Sequence, residues 1–142
     1  MDFTEVAEGL LHIANTGSTL QKEWLLKKYG QEIEGFKEVL KFIYDPYFTT
    51  GLGTKKLERA GFLEHDGDAD SIMRWLKENS TGTDYDAAFA NGFIYASEDP
   101  TWQWAATGLV TKDLQIGVAV TTLNKVYGKG FIAKIGIMHG TL

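Results

Sequence analysis

"TKDLQIGVAVTTLNKV", residues 111–126, joins a short apolar segment to the predicted start of a helix. Gly117 allows a sharp backbone turn, and a helix is expected to begin near Val120. The free N–H groups of its first turn, with the hydroxyls of Thr121 and Thr122 beside them, favour binding of an anion through backbone atoms. The same pattern is typical of a buried, hairpin-like connection followed by a capped helix. Local pattern alone leaves both interpretations open.

The composition indicates one domain with its own core. The chain has 142 residues, of which 44% are hydrophobic and 13% aromatic, and it contains no cysteine. Lack of cysteine excludes disulfides and thiolate metal sites and favours a reducing environment. No apolar run approaches the roughly 18 residues that cross a bilayer, and the acidic start MDFTEVAEG differs from the basic start of a signal peptide. We therefore expect a cytoplasmic protein without a membrane partner.

The net charge of −5 is unevenly distributed along the chain. Residues 1–59 carry eight basic and nine acidic groups, and residues 60–100 carry two basic and nine acidic groups. Residues 101–142 carry four basic groups and one acidic group. The acidic total argues against a generic nucleic-acid binder, because phosphate contacts are usually made by clustered Lys and Arg. The stretch quoted first, however, lies in the only net-positive part.

The rest of the chain has the periodicity of helices. Apolar residues recur at steps of three and four in residues 3–13 and 33–44, so each segment presents one apolar stripe. Further helix boundaries are marked by capping residues and prolines: Ser18 with Gln21, Asp45-Pro46, Asp70-Ser71, Thr83 or Asp84, and Asp99-Pro100. Because alternation of period two is nowhere extended, we expect an all-α fold. We predict a single irregular bundle of about six to eight helices over residues 1–128, followed by a tail or linker at 129–142.

Motifs for metal, nucleotide and catalytic sites are incomplete. The three histidines lack a metal-binding spacing, which favours solvated or capping roles over zinc. The run EHDGDAD has the acidic spacing of a calcium loop, but Ser71 and Lys77 occupy the positions that need glycine and glutamate, which favours a solvated loop. GLGTKK lacks the spacing of a P-loop, although Lys55, Lys56 and Arg59 are candidates for a phosphate contact. We therefore assign no catalytic residue, metal or cofactor to this chain.

Four segments together resemble one protein family. TKDLQIGVAVTTLNKVYGKG resembles the RDLRIGVxxKTINKVFPGL signature that closes the N-terminal DNA-binding domain of phage-type and bacterial ATP-dependent DNA ligases. LLHIANTGSTLQKEWLLKKY resembles the opening helices of that domain. FKEVLKFIYDPYFTTGLGTKKL resembles its KxVLxYxYDPYxxFGITKKKL segment, and STGT resembles its ELTGN turn. The segments occur in the same order and spacing, and the resemblance covers residues 5–128.

The resemblance implies a helical domain that contacts the minor-groove side of nicked duplex DNA, in replication and repair. It also implies that ATP and Mg²⁺ belong to a separate catalytic domain, whose KxDG lysine does not occur in this sequence. We therefore expect no catalytic activity from this chain alone. A ligase catalytic domain is one expected partner. The alternative is a stand-alone protein of this type, such as a phage-encoded regulator or inhibitor, that docks a protein partner through the acidic residues 64–86.

Expected DNA contacts fall in the quoted stretch and in two secondary positions. Apolar side chains at 114, 116 and 118 are expected to lie against sugars, and lysines at 112 and 125 to supply charge. The full set is Lys112, Leu114, Gln115, Ile116, Gly117, Val118, Ala119, Thr121, Thr122 and Lys125, with Gly17, Ser18, Thr19, Lys22, Lys55 and Lys56. Relative to the ligase signature, up to two positive charges are missing, which predicts weaker and less salt-dependent binding. The four tryptophans are expected in the core.

Overall fold

Eight α-helices form the regular structure of the computed structural model, which describes residues 1–79 and 81–134. They are α1 (Phe3–Ala14), α2 (Thr19–Glu32), α3 (Phe36–Tyr44), α4 (Thr54–Arg59), α5 (Ala69–Glu78), α6 (Asp84–Ile94), α7 (Pro100–Thr111) and α8 (Val120–Tyr127). No β-strand occurs within the described residues, so the predicted all-α fold is confirmed. None of these helices is long and apolar enough to cross a membrane.

Side-chain caps begin three of these helices, α2, α6 and α7, at the predicted positions. The Ser18 hydroxyl accepts the N–H of Gln21 at 3.3 Å. Thr83 begins α6 with a reciprocal capping box, and Asp99 caps α7 with proline as its first residue. One predicted cap is wrong: α5 is capped by Asp68, whose carboxylate accepts the N–H of Asp70 at 3.1 Å. Asp70 instead lies in the first turn, where its charge interacts favourably with the helix dipole.

The core forms around α1 and α7, which pack along each other. Val6, Leu10 and Ile13 form the buried stripe of α1 that the sequence predicted. At the start of α1, the ring of Phe3 meets Phe93 and Trp102 edge-on at centroid distances of 5.4 and 5.1 Å. Each such buried side chain contributes about 1.5–3 kcal/mol relative to an exposed one. The apolar core therefore fixes α6 and α7 against the first helix.

Helices α2 and α8 pack in parallel. The Lys22 ammonium donates to the carbonyl oxygen of Ile116 at 2.7 Å, and the Tyr127 hydroxyl donates to that of Leu26 at 2.6 Å. Gly30 permits the close approach, because a Cβ there would lie 2.7 Å from the ring of Tyr127. Since early residues of α2 contact the residues that precede α8, and later ones its end, both helices begin at the same end of the pair.

Residues 61–68, here called the strap, run extended along one side of α6. The Leu63 N–H donates to the carbonyl oxygen of Ala88 at 3.0 Å, and a Cβ at Gly67 would lie 3.4 Å from the Cβ of Ala96. The strap therefore runs along α6 from Ala88 and reaches Ala96, two residues after the helix ends.

Alternate side chains of the strap face opposite ways. The side chain of His65 is only 3% exposed and packs edge-on against Phe89 and Phe93, at centroid distances of 5.0 and 5.6 Å. Glu64 and Asp66, on either side of His65 in the sequence, are exposed. The acidic run is thus solvated, as expected, but it lies on an ordered segment that packs against a helix.

The chain beyond α8 folds back onto it. Asn124 and Ile132 exchange two hydrogen bonds, of 2.7 Å to the Asn124 side-chain oxygen and 3.1 Å from its amide, and Ile132 is buried. The helical unit therefore continues to at least Ile132, past the predicted boundary at 128. Residues 135–142 of the predicted tail, with His139, lie outside the described residues, as does Ser80 of the predicted turn.

Candidate nucleic-acid interface

The predicted anion-binding loop lies at the shared N-terminal end of α2 and α8. Gly117 is exposed and has φ = 70°, a conformation that glycine adopts without strain. Two residues later, Ala119 is the N-cap of α8, and the described residues supply no side-chain cap for this helix. Both features match the expectation from the sequence, which required a sharp turn and an uncapped helix start.

The carbonyl groups of this loop are occupied. Lys22 donates to the carbonyl oxygen of Gly117 at 3.4 Å in addition to that of the preceding residue. The Tyr44 hydroxyl donates to the carbonyl oxygen of Val118 at 3.0 Å. The carbonyl oxygen of Ala119 accepts the first hydrogen bonds of α8, at 3.0 and 3.1 Å. The acceptors of the loop are therefore satisfied within the protein.

The N–H groups of the same loop have no acceptor in the described part of the chain. Within residues 1–79 and 81–134, no acceptor receives a hydrogen bond from the five consecutive N–H groups of residues 117–121. Gly117, Ala119 and Thr121 are exposed, so this backbone reaches the surface. Unpaired donors at a helix start, with the positive end of the helix dipole, attract anions.

Two lysines lie beside these donors. The Lys22 ammonium is partly buried against the loop, whereas the Lys125 side chain is 67% exposed and pairs with Glu23 at 3.1 Å. Thr122 is half-buried in the first turn of α8. Two carboxylates oppose them: Glu23, which pairs with Lys125, and exposed Asp113, which accepts the side-chain amide of Gln115 at 2.7 Å. The positive potential is therefore local to the helix starts.

The start of α2 lies at the same end. Gly17, Ser18 and Thr19 are exposed, and a Cβ added at Gly17 would meet nothing within 4 Å. Because Lys22 lies one turn after Ser18 and contacts the loop, these residues stand next to it. We call residues 17–22, 117–122 and Lys125 together the α2–α8 surface.

Two adjoining clefts continue from this loop. A cleft of about 270 Å³ follows residues 112–118, and another of about 510 Å³ extends to residues 51–53 at the start of α4. They share Ile43, Tyr44 and Lys112. Lys55 in α4 is exposed, whereas the Lys56 ammonium donates to the carbonyl oxygen of Gly82. Of these two predicted lysines, Lys55 is therefore the one not held by a carbonyl group.

The apolar side chains of the loop do not face a ligand as expected. Leu114 and Ile116 are buried, and Leu114 packs so tightly on α7 that a Cβ at Gly108 would lie 2.4 Å from its Cδ1. Val118 is half-buried. The expectation that Leu114 and Ile116 rest on sugars is corrected for a physical reason: both side chains are part of the apolar core. The loop therefore combines the buried side chains of Leu114 and Ile116 with a surface part, residues 117–121, whose N–H groups have no acceptor among the described residues.

Lys112 also has a different role from the predicted phosphate contact. It ends α7 with φ = 58°, and its ammonium donates to the carbonyl oxygens of Asp45 and Phe48. The ammonium lies 3.4 Å from the centre of the Phe48 ring. Burial lowers the pKa of Lys112 to about 8, with Asp45 opposing the shift and Lys77 adding to it. Lys112 therefore anchors the turn after α3.

The four tryptophans differ in burial. Trp102 is in the core as expected, and Trp75 and Trp104 are half-buried against it, but Trp24 is 63% exposed and shares the outer side of α2 with Leu20. At 100° per residue, Leu20 and Trp24 lie opposite the buried pair Leu25 and Leu26, so α2 has apolar residues on two sides and the spacing alone does not show which side faces the core.

In comparisons with known proteins, the chain matches no family model and no curated protein.

Proposed function

We propose that this protein is a non-catalytic module that binds duplex DNA, preferentially nicked, without sequence preference, through the α2–α8 surface. The observation that carries the proposal is the row of five unpaired N–H groups at residues 117–121 beside the Lys22 ammonium. Backbone N–H groups bind phosphate oxygens and read no base, which suits a ligand of any sequence. The start of α2 adds a second helix dipole at the same end.

The resemblance of four segments to the DNA-binding domain of ATP-dependent DNA ligases supports the same ligand. In that signature, the glycine turn and the following helix occupy the positions of Gly117 and Val120. A ligase catalytic domain that uses ATP and Mg²⁺ is the partner that this resemblance suggests.

The scarcity of lysine sets an expectation for the salt dependence. If Lys22 and Lys125 each neutralise one phosphate, the logarithm of the association constant should fall with the logarithm of salt concentration with a slope of about −2. A surface that relied on many lysines would have a much steeper slope. Weak dependence on salt is therefore a signature of binding through the backbone.

The test is a fluorescence-anisotropy titration of a labelled nicked duplex at low salt, with intact duplex and single strand for comparison. Gly117→Val should weaken binding by roughly tenfold, because φ = 70° is strained for a β-branched residue. Lys129→Ala should change it by less than about twofold, because it removes one screened charge. Equal losses from the two substitutions, or no binding at tens of micromolar protein, would contradict the proposal.

A second variant removes a donor without straining the backbone. Proline is favoured at the first position of a helix, and Ala119 already has the extended ψ of 159° that suits the residue before proline. Val120→Pro should therefore keep the fold and weaken binding by a few-fold, since one free N–H disappears. Asp84→Pro, at the same position of α6, is the matched control and should leave DNA affinity unreduced.

A further inference from the structure

The outer side of α6 carries large exposed aromatic side chains. Phe62 of the strap is 72% exposed, Tyr85 is 61% exposed and Tyr95 is 62% exposed. Phe62 precedes Leu63, whose N–H is bonded to the carbonyl oxygen of Ala88 in the middle of the helix. Exposed rings of this size are unusual on a surface without a partner when they are grouped.

The geometry of α6 places these rings in one row. Tyr85 lies one turn before Ala88, and Tyr95 lies one turn after Gly92, where the strap crosses so closely that a Cβ would be 1.8 Å from the Leu63 oxygen. Residues at steps of three and four share one side of a helix. The row therefore spans about 15 Å, the length of ten helical residues.

The row rests on a rigid base. Below Tyr85, the ring of Trp75 lies at a centroid distance of 5.9 Å, and Trp75 in turn packs against Phe89 at 4.7 Å. Phe89 contacts the almost completely buried ring of His65 at 5.0 Å. The ring of Tyr85 is thus held against packed rings, so its binding would cost little ordering of that side chain.

The surroundings of the row are acidic. Glu64 and Asp66 project from the strap, and Asp84 is exposed at the start of α6. The two basic residues of the acidic stretch 60–100, Arg74 and Lys77, lie on α5 and line a different cleft beside Phe42 and Phe48. Arg59, at the end of α4, is the exposed basic residue that precedes the strap. The charge of this side is therefore predominantly negative.

We propose that this acidic–aromatic face, formed by Phe62, Tyr85, Tyr95, Glu64 and Asp66, docks a basic amphipathic segment of a partner protein. Apolar side chains of the segment pack on the three rings, and its lysines or arginines pair with the carboxylates. Negative charge disfavours nucleic acid and anionic lipid at this face, which leaves a cationic polypeptide as the matching occupant. The proposal does not depend on DNA binding, since the face shares no residue with the α2–α8 surface.

The probe is a fluorescein-labelled amphipathic helical peptide of lysine and leucine, about five turns long. Two matched peptides, one with glutamate for lysine and one with serine for leucine, separate charge from apolar contact. In anisotropy titrations, the lysine–leucine peptide should bind at least roughly tenfold more tightly than either control. If the control peptide with serine in place of leucine binds equally well, the face attracts cations only through its charge, and the proposal is overturned.

Variants of the full chain locate the binding. Phe62→Ser with Tyr95→Ser should weaken peptide binding by roughly tenfold, whereas Leu20→Ser with Trp24→Ser, an exposed apolar pair on α2, should not. Glu64→Lys should weaken it by a few-fold. Equal losses from both pairs would overturn the proposal. So would concentration-dependent self-association, seen by sedimentation and abolished by Phe62→Ser, because the occupant would then be a second copy.

The two proposals fail separately. The Phe62→Ser, Tyr95→Ser variant should bind nicked DNA as the unchanged protein does, which also shows that it is folded. Loss of DNA binding in the same variant would contradict the separation of the faces. Conversely, Gly117→Val should leave peptide binding unchanged, because it lies in a different part of the fold.

Discussion

The α2–α8 surface and the acidic–aromatic face offer different chemistry on one scaffold. The first presents main-chain N–H groups next to Lys22, and the apolar side chains just before them in the sequence, Leu114 and Ile116, face the core. The second presents rings and carboxylates, while its backbone is bonded to α6. A binding surface can therefore arise from unpaired backbone N–H groups at a helix start. It can also arise from side chains that stay exposed where two segments pack closely. Substitutions should therefore affect the two surfaces in different ways.

The largest effect is expected from Gly92→Ala. The added Cβ would lie 1.8 Å from the Leu63 oxygen, so the strap must move away from α6 at a cost of about 3 kcal/mol. Urea unfolding should show this loss, and binding of the lysine–leucine peptide should fall with it. DNA affinity of the folded fraction should stay the same.

Gly61→Ala is the matched control within the strap. A Cβ there meets nothing within 4 Å, so the free energy of unfolding should change by less than about 0.5 kcal/mol. Equal destabilisation by the two alanines would contradict the close contact between the strap and α6.

The next largest effect is expected at Lys22, which links α2 to the loop before α8 in the α2–α8 surface. Lys22→Met removes the hydrogen bonds to the carbonyl groups of Ile116 and Gly117 and should lower the free energy of unfolding by about 2 kcal/mol. DNA affinity should fall as well, whereas peptide binding should not. Lys125→Met, which breaks an exposed ion pair, should cost about 0.5 kcal/mol or less.

A smaller effect is expected at Tyr127, the last residue of α8, which contacts α2. Tyr127→Phe removes the hydrogen bond to the Leu26 carbonyl oxygen and should destabilise the protein by about 1 kcal/mol in urea unfolding. Tyr47→Phe, on an exposed ring, should have no measurable effect. A loss of stability in both variants would mean that the bridging bond is not the cause.

A pH dependence is expected from Lys112. Its pKa is about 8 in the folded chain and ordinarily 10.5, so between these values the unfolded chain binds more protons than the folded one. Its contribution to stability therefore rises with pH across that window and is constant below pH 8. The stability difference between the unchanged protein and Lys112→Met should grow from pH 7.5 to 9.5 in favour of the unchanged protein.

An NMR titration of ¹³C-methylated lysines tests the same point directly. One resonance should titrate with a midpoint near pH 8 and should be missing in Lys112→Met. If all lysines titrate near their ordinary value, the half-buried position of this ammonium against the carbonyl groups of Asp45 and Phe48 is wrong.

Local signals in the sequence predicted the helices well. Ser18, Thr83 and Asp99 cap helices because a short polar side chain bonds the N–H two or three residues later, which is a property of neighbouring residues. The failure at Asp70 has the same origin: Asp68 and Asp70 are both suitable caps, and the packing of α5 decides between them.

Contacts between distant residues could not be predicted in this way. Lys22 meets its carbonyl partner 94 positions along the chain, and the strap meets α6 through a glycine that looks like any small helical residue. The turn at Gly117 was predictable because glycine and a helix start suffice for it. The burial of Leu114 and the exposure of Trp24 depend on which side of each element faces the core.

The two hydrogen bonds between Asn124 and Ile132 have a practical consequence for protein engineering. A chain truncated after Gly128 would uncover the apolar site beneath Ile132 and leave the Asn124 amide without its partners. Fusions or affinity tags should therefore be attached after Ala133, so that the isoleucine keeps sealing the end of the last helix.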